Sequence, residues 1–205
     1  EDVFYYITIM NENYSHPEMP KNVNEDIIKG IYKYSENKAK GPKVQLMGSG
    51  VILREVIEAA SILEKDFNIG STIFSVTSFT EVRRNALDVQ RWNMLNPEKT
   101  EKKSVLDEII VDLESPIITA TDYMKSFAEQ IATFLPNKFI SLGTDGFGRS
   151  DSREALRDFF EVDRNHIVIA ALKALTEKQE IEKSVLLDAI KKYKIMNDKP
   201  NPVSL

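Results

Sequence analysis

The stretch Gly143-Thr144-Asp145-Gly146-Phe147-Gly148-Arg149-Ser150-Asp151-Ser152-Arg153 is the most unusual part of the chain. Its three glycines expose backbone N–H groups, and Arg149 and Arg153 add positive charge. Ser150 or Asp151 stands where a helix cap would. A helix N-terminus attracts anions through its unpaired N–H groups. Gly146, Gly148, Arg149, Ser150 and Arg153 are therefore candidates for holding a phosphate or carboxylate. Asp145 and Asp151 bring negative charge into the same loop, and pairing of these carboxylates with the two arginines is the favoured competing reading. No Gly-Lys-Ser/Thr closes the stretch, so it is not a P-loop.

A second glycine turn, Gly48-Ser49-Gly50, sits where a nucleotide loop would. A dinucleotide fingerprint needs glycine at position 53, where the chain has Leu53. A tight strand-to-helix turn is the better reading. The two histidines, His16 and His166, stand far apart in sequence, have no obvious Ser or Cys partner and show no metal-ligand spacing such as HExxH. Arg83, Arg84 and Arg91 form a possible basic stripe, although such arginines usually lie in solvent or pair internally. Trp92, the single tryptophan, is a candidate for a subunit contact, since aromatic residues and Arg carry much of interface energy. A core role would be equally ordinary. The carboxylates mostly alternate with Lys on helix faces, as Glu177, Glu180 and Glu182 do, and read as solvated surface.

The elements that must position these residues follow from periodicity. Val3–Met10 is β-branched and aromatic and reads as a strand, and 11–21 reads as a loop. Asn24 caps a helix carrying Ile27, Ile28, Ile31 and Tyr32 on one face. Then strands and helices alternate: strand Lys43–Met47, helix Val51–Phe67, strand Ser71–Thr77, and a helix capped by Thr80. A Ser104/Asp107 capping box opens a helix over Val105–Leu113. Strand Pro116–Thr121, helix Tyr123–Leu135 and strand Lys138–Leu142 come next. Asp151–Phe160, His166–Thr176 and Glu182–Tyr193 are closing helices. This rhythm, with buried-type strands, predicts a largely parallel sheet of four or five strands with helices on both faces, a three-layer α/β/α architecture.

Composition sets limits on function. The chain has 205 residues, 42% of them hydrophobic, and can bury a real core. With no cysteine, disulfide scaffolds, thiolate metal sites and cysteine nucleophiles are excluded. A net charge of -5 argues against a nucleic-acid partner. The longest apolar run, Ile167–Leu172, is far short of the ~20 residues that span a bilayer, so no membrane partner is expected. The chain opens on Glu1 and runs directly into an apolar stretch, which points to a piece of a longer protein. The bottom-up reading is an α/β domain without a self-contained catalytic set.

Several strings together resemble one family: DVFYYIT with MNENY, KVQLMGSGVILREV, SVTSFTEV, RWNMLNPE, ATDYMKSFAEQI and LGTDGFGRSDSREALRDFFEVD. In order, and across essentially the whole chain, they resemble the C-terminal region of the homodimeric bacterial pyruvate dehydrogenase first component, a transketolase-like, thiamine-diphosphate-dependent family. The resemblance implies a transketolase C-terminal type of domain over residues 21–205, with five mostly parallel strands and one antiparallel edge strand. Residues 1–20 would be the end of a preceding domain and a linker. It implies a parent enzyme of the cytoplasm that decarboxylates pyruvate and reductively acetylates lipoyl groups of a dihydrolipoyl acetyltransferase core. Its partners would be the preceding domains of its own chain, a homodimer partner and that core. Thiamine diphosphate and magnesium would be bound outside this stretch, so no catalytic, cofactor-binding or metal-binding residue is carried over. The resemblance departs at Tyr14-Ser15-His16-Pro17, where family members place His directly after Tyr, so no role carries over to His16.

Overall fold

In a computed structural model, residues 2–7, 9, 10 and 12–204 are described. Five strands form one sheet: β1 (Ile31–Glu36), β2 (Lys43–Gly48), β3 (Gly70–Val76), β4 (Ile117–Ala120) and β5 (Phe139–Leu142). The order is β1-β3-β2-β4-β5. All pairings are parallel except β1 with β3, which is antiparallel and places Ile31 opposite Val76. The mostly parallel sheet with one antiparallel edge is thus present.

The period-2 alternation of strand side chains sends neighbouring residues to opposite faces. Leu46 and Met47 of β2 therefore enter different cores. On one face Val44, Leu46, Ile73 and Ile118 pack against α2 (Leu53–Phe67), α7 (Arg164–Glu177) and α8 (Lys183–Lys192). On the other, Met47, Phe74, Val76 and Ile117 meet α3 (Phe79–Leu95), α4 (Val105–Ile109) and α5 (Lys125–Glu129). Helix α7 is apolar over much of its circumference, burying Ile167, Val168, Ala171, Leu172, Ala174 and Leu175, because α2, α8 and the sheet surround it. Each fully buried Leu or Ile of this kind contributes roughly 1.5–3 kcal/mol.

Several local expectations are corrected. The helix begun near Asn24 lasts only from Asn24 to Lys29 (α1), and Val23, not Asn24, occupies its cap position. Gly30 ends it at φ 98°, and its carbonyl accepts the N–H groups of Thr77 and Ser78. A Cβ at Gly30 would lie 2.5 Å from the Ser78 carbonyl oxygen. Ile31 and Tyr32 consequently start the edge strand instead of extending a helical face. The described residues within 3–10 form no strand and meet no sheet edge; Phe4 and Tyr6 are among the most exposed side chains. Thr8 and Asn11 of these segments lie outside the described residues.

Ser78, rather than Thr80, caps α3, accepting the Glu81 N–H. The Ser104/Asp107 capping box is present, yet α4 stops at Ile109. Beyond it, the Asp112 carboxylate gathers the N–H groups of Glu114 and Ser115 into a turn. The helix expected over Tyr123–Leu135 breaks into α5 and a 3-10 turn, Ala132–Phe134. Thr121 Oγ1 accepts the Tyr123 N–H and Asp145 Oδ1 accepts the Lys125 N–H, so the first residues are turned rather than helical. Helix α6 (Arg153–Phe159) is capped by Ser152, which accepts the Ala155 N–H, in place of Ser150 or Asp151.

Candidate functional site

The chain passes from β2 to β3 on one side, then crosses back to β4 on the other side of β2. In open α/β sheets such a reversal leaves a crevice beyond the carboxyl ends of the strands, where ligands bind. Here the turn Gly48-Ser49-Gly50 leaves β2 at that point. Gly48 is needed because a Cβ there would come within 2.7 Å of the Leu53 Cα. The turn enters a 3-10 segment, Gly50–Ile52, and then α2. It separates two clefts.

The first cleft, about 380 Å³, lies between Val51-Ile52, the Asp122–Met124 turn after β4 and helix α6. Gly146, Gly148, Arg149 and Arg153 border it, and so does Arg157. The structure thus brings four of the five candidate loop residues to one rim. The pairing expected inside the loop takes another form. Asp145 accepts the Lys125 N–H, Asp151 accepts the Ser152 N–H, and Arg153 Nε lies 2.6 Å from Glu12 Oε2. Arg149 and Lys199 both stand over the Phe159 ring, at 5.5 and 5.4 Å. Pro202 and Val203 pass within about 3.4 Å of where a Gly146 Cβ would be. Phe147 projects outward, 85% exposed.

The second cleft, about 640 Å³, lies on the β3 side of the same turn. Tyr32 and Tyr34 of β1, Ser75–Thr77 at the end of β3, and Arg54 of α2 form its domain side. Its remaining wall is the segment from Tyr14 to Met19, which includes His16.

Between these clefts lies a centre that sequence reasoning missed. Glu55, on the first turn of α2, is buried, yet its carboxylate is saturated. Oε1 accepts from Arg157 Nη1 and Arg164 Nη2, each at 3.1 Å. Oε2 accepts from Arg164 Nε at 2.8 Å and from the Arg164 backbone N–H at 3.1 Å. The hydrogen bond to Glu55 holds the Arg164 guanidinium above its ordinary pKa. A buried charge is tolerable only with this kind of complete pairing. Arg157 reaches onward from Glu55 to the Tyr14 hydroxyl at 3.2 Å. The sequence signal was thin: an acidic residue in a first helical turn, with partners more than 100 positions away.

The remaining candidates fall elsewhere. Trp92 is half-buried on α3, with Lys102 Nζ 4.3 Å from its ring, beside exposed Met94 and Leu95. Arg84 pairs with Glu81 one turn away. His166 Nδ1 lies 2.8 Å from Asp163, which also caps α7 by accepting the His166 N–H. Burial alone would raise the Asp163 pKa, but these hydrogen bonds outweigh it and hold the carboxyl below its usual value. Among the described residues, Asp158, Asp163 and His166 form a cluster of potential metal ligands. Magnesium prefers an octahedron of oxygens. A single capping carboxylate already bonded to an imidazole, with one exposed Asp, does not supply such a site, nor a diphosphate–magnesium cradle. No described helix is long and apolar enough to cross a membrane.

The chain is thus an α/β domain with a mostly parallel sheet, one antiparallel edge strand, two helical layers and a crevice at the switch point. The family model of the transketolase-like TK C-terminal domain matches residues 30–163, and the chain belongs to this family. Among named relatives, the pyruvate dehydrogenase E1 component of Pseudomonas aeruginosa is 53% identical over 205 residues, covering 99% of this chain and 23% of that protein. The E1 component of Escherichia coli K12 is 52% identical, with 98% and 23% covered, and that of Cupriavidus necator 49%, with 100% and 23%. The chain therefore spans less than a quarter of the length of these relatives. Two solved transketolases share the fold at low identity. That of Campylobacter jejuni has TM-score 0.52 and 18% identity, with 76% of this chain and 20% of that one covered. That of Pichia stipitis has TM-score 0.54 and 16% identity, with 80% and 20% covered.

Proposed function

We propose that this chain is the C-terminal domain of a pyruvate dehydrogenase E1 component. The parent enzyme decarboxylates pyruvate and reductively acetylates the lipoyl groups of a dihydrolipoyl acetyltransferase core. The observation that carries this reading is identity near 50% along the entire chain to three E1 components from different bacteria. Thiamine diphosphate and magnesium are assigned to regions of the parent outside these residues. Residues 21–205 are the domain and residues 1–20 the connection from a preceding one. Its role is structural: it braces the preceding domains and supports a homodimer of a cytoplasmic enzyme, with Trp92 a candidate contact. A coupled assay with pyruvate, thiamine diphosphate and magnesium tests this. The full-length parent turns over and the 205-residue chain alone does not. Turnover by the chain alone, or none by the parent, refutes it.

The alternative is a regulatory module that holds a small anion at Gly146, Gly148, Arg149, Ser150 and Arg153. It is weakened by the occupations of the arginines on that rim, Arg153 with Glu12 and Arg157 with Glu55. Calorimetric titration of phosphate and acidic metabolites distinguishes the two readings: millimolar-range binding at this rim favours the module.

A further inference from the structure

The larger cleft has one wall that does not belong to any strand or helix. Residues 12–20 carry no regular secondary structure, and no backbone N–H among them bonds to the domain's backbone. Among the described residues, the polar contacts between this segment and the domain are made by side chains. Three arginines of the domain converge on it. Arg153 reaches Glu12 at 2.6 Å. Arg157 donates to the Tyr14 hydroxyl, and that hydroxyl donates to Glu12 at 2.8 Å. Arg54 lies 4.7 Å from the Tyr14 ring centre and donates to the Ser15 carbonyl at 3.2 Å, while Arg157 lies 5.9 Å from the same ring.

We propose that Arg54, Arg153 and Arg157 form a clamp for the Glu12–Ser15 segment, and that this clamp builds the outer wall of the larger cleft. The chemistry the clamp recognises is an acid two residues before an aromatic ring, supplied here by the chain itself. Glu55 sets the geometry from behind. Its carboxylate fixes the Arg157 guanidinium, so the buried centre of the domain dictates where Tyr14 sits. Tyr14 in turn sets the register of Ser15, His16 and Pro17, which border the cleft. Arg157 and Tyr14 are positioning residues in this arrangement. A guanidinium is suited to it because its planar fork serves a carboxylate, a hydroxyl and a ring face together. The proposal does not depend on the reading of the parent enzyme, because its test measures the segment and not turnover.

The test is limited proteolysis of the full-length parent chain with a glutamyl endopeptidase, following cleavage after Glu12 and Glu18. Tyr14→Ala removes the ring contacts and the hydroxyl together, and cleavage at these two sites rises about tenfold. Tyr14→Phe keeps the ring between the guanidinium groups and stays within about threefold of wild type. Arg157→Lys also accelerates cleavage, and combining it with Tyr14→Ala adds little, because both act on one contact. Three results would overturn the clamp: Tyr14→Ala cut no faster than wild type, Tyr14→Phe cut as fast as Tyr14→Ala, or fully multiplicative effects in the double variant. Acceleration spread over the whole chain would also overturn it, as that reports loss of the fold rather than release of one segment.

Discussion

The Glu55 centre and the Gly143–Ser150 loop occupy the same end of the sheet and use the same kinds of groups, yet they are built in opposite ways. At Glu55 every contact is long-range: Arg157 and Arg164 come from 102 and 109 positions away, and the carboxylate is shut off from water. In the loop, Phe147 faces solvent and a Cβ at Gly148 would meet nothing within 4 Å. The loop carries the more conspicuous sequence. The buried glutamate carries the geometry. A charge buried with complete pairing ties α2, α6 and α7 to one another, because none of its partners can move without leaving it exposed to a low-dielectric interior.

Substitutions can break or sharpen this contrast. The largest effect is expected at the centre: Glu55→Ala removes the shared acceptor of two arginines and should cost about 3 kcal/mol of unfolding free energy in urea titration. Within the loop the two ends should differ. Gly143→Ala places a Cβ 2.6 Å from the Tyr123 carbonyl oxygen and 2.9 Å from the Lys125 nitrogen. Both are backbone atoms, so a loss of about 2 kcal/mol is expected. Smaller again, Asp163→Ala removes the α7 cap and should cost about 1 kcal/mol.

The Asp163 contribution carries a pH signature. Its folded pKa lies below the ordinary value of 3.8, so the stabilisation is present above that value and is lost as pH falls through the depressed one. The stability gap between wild type and Asp163→Asn should therefore be constant near neutrality and close in acid. A gap that widens in acid would contradict the assignment. The smallest effect is Gly148→Ala, within about 0.5 kcal/mol of wild type in the same titration. A loss there as large as at Gly143 would mean that the loop is as tightly built as the centre.

What could be read in advance followed the range of the interactions. Strands β2 to β5 and helices α2, α3, α7 and α8 were legible because apolar runs and helical periodicity are local. The Ser104/Asp107 box was legible for the same reason, since both partners lie within one turn. Tyr32 was misplaced because Ile27, Ile28, Ile31 and Tyr32 fit a helical face equally well. What decides the matter is Gly30 accepting two N–H groups from the far end of β3, and that contact has no local trace. The helix expected over Tyr123–Leu135 failed similarly, with Asp145 capturing the Lys125 N–H from 20 positions away. At the candidate site, composition exposed Arg149 and Arg153 but not the partner of Arg153. It left Glu55 and Arg157 unremarked, because single charged residues on helices look like solvated surface until the fold brings them together.

The account of the domain as a brace is tested most directly by sedimentation of the full-length parent with and without residues 21–205. The prediction is a dimer for the intact chain, and a weakened dimer or lost pyruvate turnover for the shortened one. A shortened chain that stays fully dimeric at the same concentrations and keeps full activity would contradict it.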